Sequence, residues 1–125
     1  TSKLSYILQS NTAQEAALKM DQDSASALIV MNSNSTPVGF ITHRDLVRSS
    51  CTEDVPCNNI VIKDIMSTPI VTIDPYSPVE AAADVMKQNS VRHLLVVESD
   101  KQNKPLGILS SRDFAFYIEN EFAEK

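Results

Sequence analysis

The chain has 125 residues, of which 42 % are apolar and 22 % charged, with a formal net charge of −5. That length suits a packed domain able to bury roughly two-thirds of the surface of its unfolded chain, and the composition excludes a disordered polymer. The acidic balance argues against a broad nucleic-acid footprint or an anionic-membrane surface, and no apolar run approaches the ~20 residues of a membrane-spanning helix.

In chain order, the apolar spacing predicts a helix over 12–22, strands over 27–32 and 37–41, and a helix over 43–49. Residues 51–59, which hold Cys51 and Cys57, read as a linker, and 60–66 as a short helical or extended lead-in. A strand at 71–73 ends at Asp74-Pro75. Ser77-Pro78-Val79-Glu80 then carries the marks of a helix start, with Ser77 as N-cap, Pro78 at the first position and Glu80 closing a capping box. Val79, Ala82, Ala83 and Met86 form an apolar stripe at helical spacing. A strand over 93–98, a polar turn, a strand over 105–109 and a helix from Ser111 to about Glu121 complete the chain.

The two glycines, Gly39 and Gly107, expose an internal duplication. Each opens the pattern Gly-apolar-apolar-(Thr/Ser)-x-Arg-Asp, as Gly39-Phe40-Ile41-Thr42-His43-Arg44-Asp45 and Gly107-Ile108-Leu109-Ser110-Ser111-Arg112-Asp113. Sliding the chain by 66 residues superposes Ala16 on Ala82, Met20 on Met86, Ser24 on Ser90, Leu28 on Leu94 and Val30 on Val96; the offset then becomes 68. The domain plan is therefore a first repeat over 1–50, a linker over 51–59 and a second repeat over 60–125. The fold class is α/β, with strand–helix–strand–strand–helix in each repeat. A unit of this size buries too little apolar surface to stand securely alone, so the repeats are expected to pack through their sheets about a pseudo-two-fold axis.

The chemistry clusters at the same corners. All four arginines (Arg44, Arg48, Arg92, Arg112) and both histidines (His43, His93) lie in or beside corresponding positions of the repeat. Arginine's planar fork suits bidentate contact with phosphate. A hydroxyl and a carboxylate three residues apart at a strand-to-helix junction project to one side of the first helical turn, where free N–H groups favour an anion. A carboxylate can also accept both hydroxyl hydrogens of a cis-diol. The same Thr42-x-x-Asp45 and Ser110-x-x-Asp113 spacings are equally good helix-capping patterns, and one residue can serve both purposes.

With the lead-in Asp64-Ile65-Met66-Ser67-Thr68-Pro69 and the strand Val91-Arg92-His93-Leu94-Leu95-Val96-Val97, these segments resemble a tandem pair of cystathionine-β-synthase (CBS) domains, a Bateman module, over essentially the whole chain. The resemblance implies a regulatory module rather than an enzyme. It implies adenosine-containing ligands bound in clefts between the repeats: AMP, ADP or ATP, with S-adenosylmethionine less favoured because arginines surround the site. It further implies that occupancy is relayed to an associated protein, and that the module forms a homodimer through its helices. By the same resemblance Asp45 and Asp113 bond ribose, and Thr42 and Ser110 reach ribose or phosphate. Arg44, Arg92, His93 and Arg112 serve phosphate, and Thr68, Ile70 and Val91 enclose adenine.

Other readings stay open. Where the second copy has Val91-Arg92-His93 the first has uncharged Ala25-Ser26-Ala27, so the sites are expected to be unequal, Asp113's being the better furnished. An interaction or dimerisation domain with vestigial clefts is the alternative. Cys51 and Cys57 read as free cytosolic thiols or a local redox pair; with no signal-peptide core, a cytoplasmic location is expected. No nucleophile–base pair, Gly-rich phosphate loop or metal constellation supports catalysis, and paired acids such as Asp21/Asp23 and Glu119/Glu121 read as solvated charge. Phe114, Phe116, Tyr117 and Phe122 in the final helix exceed what one core face absorbs, which makes a partner surface plausible.

Overall fold

The computed structural model describes residues 4–49, 57–98 and 104–114. Two compact units divide the chain at Ile70/Val71.

The first unit begins with strand β1 (Tyr6–Leu8), helix α1 (Ala13–Asp23), strands β2 (Ala27–Met31) and β3 (Pro37–Thr42), and helix α2 (His43–Ser49). Strand order is β1-β2-β3, β1 parallel to β2 through the α1 crossover and β3 returning as an antiparallel hairpin. Thr12 starts α1 with a true capping box: its hydroxyl accepts from Glu15 N at 3.2 Å, and Glu15 Oε1 accepts from Thr12 N at 3.0 Å. The helix ends at Ser24, whose left-handed backbone (φ 51°) sends its N–H back to the carbonyls of Met20 and Asp21. Asn32 makes the hairpin turn by accepting from the N–H groups of Asn34 and Thr36.

The second unit repeats this plan with β4 (Thr72–Ile73), α4 (Val79–Asn89), β5 (His93–Glu98) and β6 (Lys104–Ser110), in order β4-β5-β6. The duplication holds at the level of register. Ile7 faces Val30 as Ile73 faces Val96, and each hairpin bulges at the equivalent place, between Val30/Met31 and between Val96/Val97. Ser90 ends α4 in the same left-handed conformation as Ser24 (φ 54°). A mixed α/β fold is thus shown, built from two three-stranded sheets with their helices.

Each unit has its own core. Ala16 and Met20 from α1 meet Ile7, Leu28, Val30 and Ile41 from the sheet; Ala82 and Met86 from α4 meet Ile73 and Leu94. Ile29 on β2, Phe40 on β3, and Leu95 and Val97 on β5 are buried as well.

Two local readings need correction. Pro78, not Ser77, is the N-cap of α4, and no side chain caps it: Pro78 stays extended (φ −68°, ψ 158°), so the helix starts one residue late for the Ser-x-x-Glu box to close. Ala83 is exposed, and the buried stripe of α4 narrows to Ala82 and Met86 with Val85 beside it.

The chain after the linker contributes to the first unit. A 3₁₀ turn (Cys57–Asn59) leads to a short helix, α3 (Ile62–Ile65). Backbone bonds tie this stretch to residues 9–13: Ala13 N to Ile60 O at 2.7 Å, Ile62 N to Asn11 O at 2.8 Å and Lys63 N to Gln9 O at 3.0 Å. Ile62 is fully buried in the core with Met20, Leu28 and Ile41. Among the described residues no helix is long and apolar enough to cross a membrane. Cys51, the Cys57 side chain, and Phe116, Tyr117 and Phe122 lie outside the described residues.

Candidate nucleotide site

The two corners share a backbone scaffold. Strand β3 ends at Thr42 and α2 begins at His43; strand β6 ends at Ser110 and helix begins at Ser111. In each copy the first helical N–H reaches across to the residue preceding the neighbouring strand, His43 N to Ser26 O at 3.4 Å and Ser111 N to Arg92 O at 2.9 Å. These bonds bring positions 26 and 92 beside their corners. In the second unit they gather Val91, Arg92, His93, Ser110, Arg112 and Asp113, six of the residues expected from the sequence.

At Ser110–Asp113 the carboxylate caps the corner with one oxygen. Asp113 Oδ2 accepts from Ser110 N at 2.7 Å and from Ser110 Oγ at 3.3 Å. Asp113 is exposed, and among the described residues nothing donates to its Oδ1. Arg92 and Arg112 are exposed too, with no ion-pair partner among the described residues. Among the described residues the corner therefore presents a carboxylate oxygen without a donor on a backbone that also carries Arg92 and Arg112, residue types able to take a hydroxyl and an anion together.

The first corner has the same cap and a different surrounding. Thr42 N and Oγ1 both donate to Asp45 Oδ2 at 3.0 Å, and Asp45 N donates back to Thr42 Oγ1 at 3.2 Å. Here the carboxylate is buried, 6 % exposed, and its second oxygen is taken: Ser67 Oγ donates to Asp45 Oδ1 at 2.8 Å. Arg44 is exposed, again without an ion-pair partner among the described residues. An open hollow nearby is lined by Ala17, Met20, Asp21, Ser26, His43 and Leu46, and its acid, Asp21, does not favour phosphate.

Gly39 and Gly107 differ accordingly. A Cβ on Gly39 would stand 2.8 Å from the Ser67 carbonyl oxygen, 3.0 Å from Met66 Sδ and 3.2 Å from the Thr68 methyl, whereas one on Gly107 meets nothing within 4 Å among the described residues. Thr68 is thus placed against β3 of the first unit, and Ile70, half-buried, closes that unit. In the sequence Ser67 is one residue of the Asp64–Pro69 lead-in, with nothing to mark its bond to Asp45. The bond to Asp45 spans 22 residues, and no local periodicity signals a contact of that separation.

The CBS domain family model matches residues 1–51 and again 62–120. The chain belongs to the CBS domain family. Among its relatives, an uncharacterized 17.7 kDa protein of Acidianus ambivalens is 35 % identical over 113 residues, covering 88 % of this chain and 65 % of that protein. An uncharacterized protein of Methanopyrus kandleri is 31 % identical over 102 residues, covering 82 % of this chain and 51 % of its own length. The chain therefore spans about half to two-thirds of these relatives. Its fold matches that of a CBS domain protein of Pyrobaculum aerophilum solved in complex with AMP, at TM-score 0.75 and 22 % identity, over 100 % of this chain and 95 % of that one.

Proposed function

We propose that this CBS pair is a regulatory module that binds an adenosine nucleotide of the AMP, ADP or ATP class at its Ser110–Asp113 corner and relays occupancy to a partner protein. The observation that carries the reading is exposed Asp113, whose Oδ1 has no donor among the described residues, at a corner that also carries exposed Arg92 and Arg112. In this reading Asp113 accepts from a ribose hydroxyl and Ser110 supports ribose or phosphate. Arg92, His93 and Arg112 neutralise phosphate, and Val91 is the proposed adenine contact on that unit; for Thr68 and Ile70, which belong to the first unit, the adenine role is proposed from the family resemblance alone. Thr42, Arg44 and Asp45 form the less furnished counterpart. The AMP bound by the Pyrobaculum protein is consistent with this ligand class. The module acts by binding and not by catalysis.

A thermal-shift panel of AMP, ADP, ATP, S-adenosylmethionine and NAD at millimolar concentration tests the reading. A ligand at 100 times its dissociation constant stabilises by about 2.7 kcal/mol, a shift of many degrees in a domain this small. No shift with any of them would move the assignment to a protein-interaction domain with vestigial sites, a reading that buried Asp45 already favours for the first corner. A homodimer belongs to the same proposal. Leu18 on α1 and Val47 on α2 leave apolar surface on the helices, at 56 % and 76 % exposure, and light scattering at high protein concentration should give the dimer mass.

A further inference from the structure

Duplicated sites diverge by what surrounds them, and here the divergence has a single chemical centre. A carboxylate offers about four lone-pair positions, and a vicinal diol needs two of them. Asp45 has three in use, two on Oδ2 from Thr42 and one on Oδ1 from Ser67, and it is buried. Among the described residues Asp113 has two in use, both on Oδ2 from Ser110, and it is exposed. Among the described residues the added donor that sets the first acid apart is the Ser67 hydroxyl.

The backbone that carries that hydroxyl is held in place, although Ser67 itself is exposed. Phe40 N donates to Ser67 O at 3.0 Å and Ser67 N donates to Phe40 O at 2.8 Å, so the segment adds a bridge to the edge of β3. The close approach requires Gly39, since any side chain there would strike the Ser67 carbonyl. The corresponding space at Gly107 is open among the described residues.

We infer that Ser67 is the residue that decides occupancy of the first corner: its hydroxyl stands on Asp45 where a ribose hydroxyl would bind, so that the chain takes one nucleotide and not two. This rests on the nucleotide reading of the Ser110–Asp113 corner and sharpens it. Ser67 is a specificity determinant that acts through Asp45. The first copy satisfies its own acid internally, and the second leaves its acid for ligand.

The test is calorimetric titration of the whole chain with AMP and ATP. Wild type is expected to bind one nucleotide, and Ser67→Ala, which frees Oδ1 of Asp45, two. Ser67→Thr keeps the hydroxyl and should stay at one. As a measurement that does not depend on any variant folding, ¹⁵N NMR of the wild type during the titration should move the amides of Ser110 and Asp113 and leave those of Thr42 and Asp45 in place. Two sites in the wild type, movement of Thr42 and Asp45, or a folded Ser67→Ala that still binds one would overturn the role of Ser67 while leaving the nucleotide reading intact. Absence of binding by every form overturns the nucleotide reading, and the role of Ser67 with it.

Discussion

Phe40 and Ser67 exchange both of their backbone hydrogen bonds, at 3.0 and 2.8 Å, and this two-residue bridge fastens the lead-in segment to the edge of β3. It exists because residue 39 has no side chain.

Gly39→Ala should therefore be destabilising by about 1–3 kcal/mol, the usual range for forcing atoms into a packed contact, because the obstructing atom is a backbone oxygen that cannot rotate away. Gly107→Ala meets nothing within 4 Å among the described residues and should stay within about 0.5 kcal/mol of wild type. Urea melts of the two variants measure the contrast; equal costs would mean that the bridge does not form in solution.

Ile62→Ala removes a fully buried side chain from the first unit's core and should cost about 2–5 kcal/mol. The position of the damage is the sharper expectation. Hydrogen exchange should quicken in β1, α1 and β2, although residue 62 lies by repeat in the second copy. Loosening confined to β4–β6 would contradict the packing.

Asp45 and Asp113 should separate stability from binding. Asp45→Ala leaves the buried Thr42 N–H and hydroxyl without their acceptor, and frees the hydroxyl of exposed Ser67; it should destabilise by about 1–3 kcal/mol with little effect on nucleotide affinity. Asp113→Ala removes an exposed cap, costs about 1 kcal/mol or less, and should weaken nucleotide binding strongly. Thermal melts paired with calorimetry give both readouts, and equal loss of affinity in the two variants would reject the ranking.

Ser24 and Ser90 hold left-handed helix ends that glycine adopts without penalty. Ser90→Gly should raise stability by about 0.5–1 kcal/mol, and Ser24→Gly by a similar amount. A lowered melting temperature in either would show that the serine contributes something beyond its backbone conformation.

Much of the fold was legible because it is written in local patterns. The helix over 12–22 appears as Ala13–Asp23 and the strand over 93–98 as His93–Glu98, since apolar period and flanking polar residues set both. The start of α4 was misread because Ser77-Pro78-Val79-Glu80 satisfies the capping pattern in letters, while the extended backbone of Pro78 places the helix start beyond Ser77's reach. The unequal character of the corners was also legible, from Ser26 standing where Arg92 stands. Its strongest cause, Ser67 on Asp45, was not.

The sequence by itself determined the duplication, the membership in the CBS family and the positions of the two hydroxyl–carboxylate corners, because each depends on residues within a few places of one another or on a constant offset. Tertiary structure alone decided that residues 60–70 pack into the first unit, that Gly39 lies against the Ser67 carbonyl, and that Asp45 is buried and engaged by Ser67 while Asp113 is exposed. Those outcomes depend on which distant segment comes to lie against a strand edge. Backbone hydrogen bonding and burial settle that choice, and neither leaves a periodic trace in the chain.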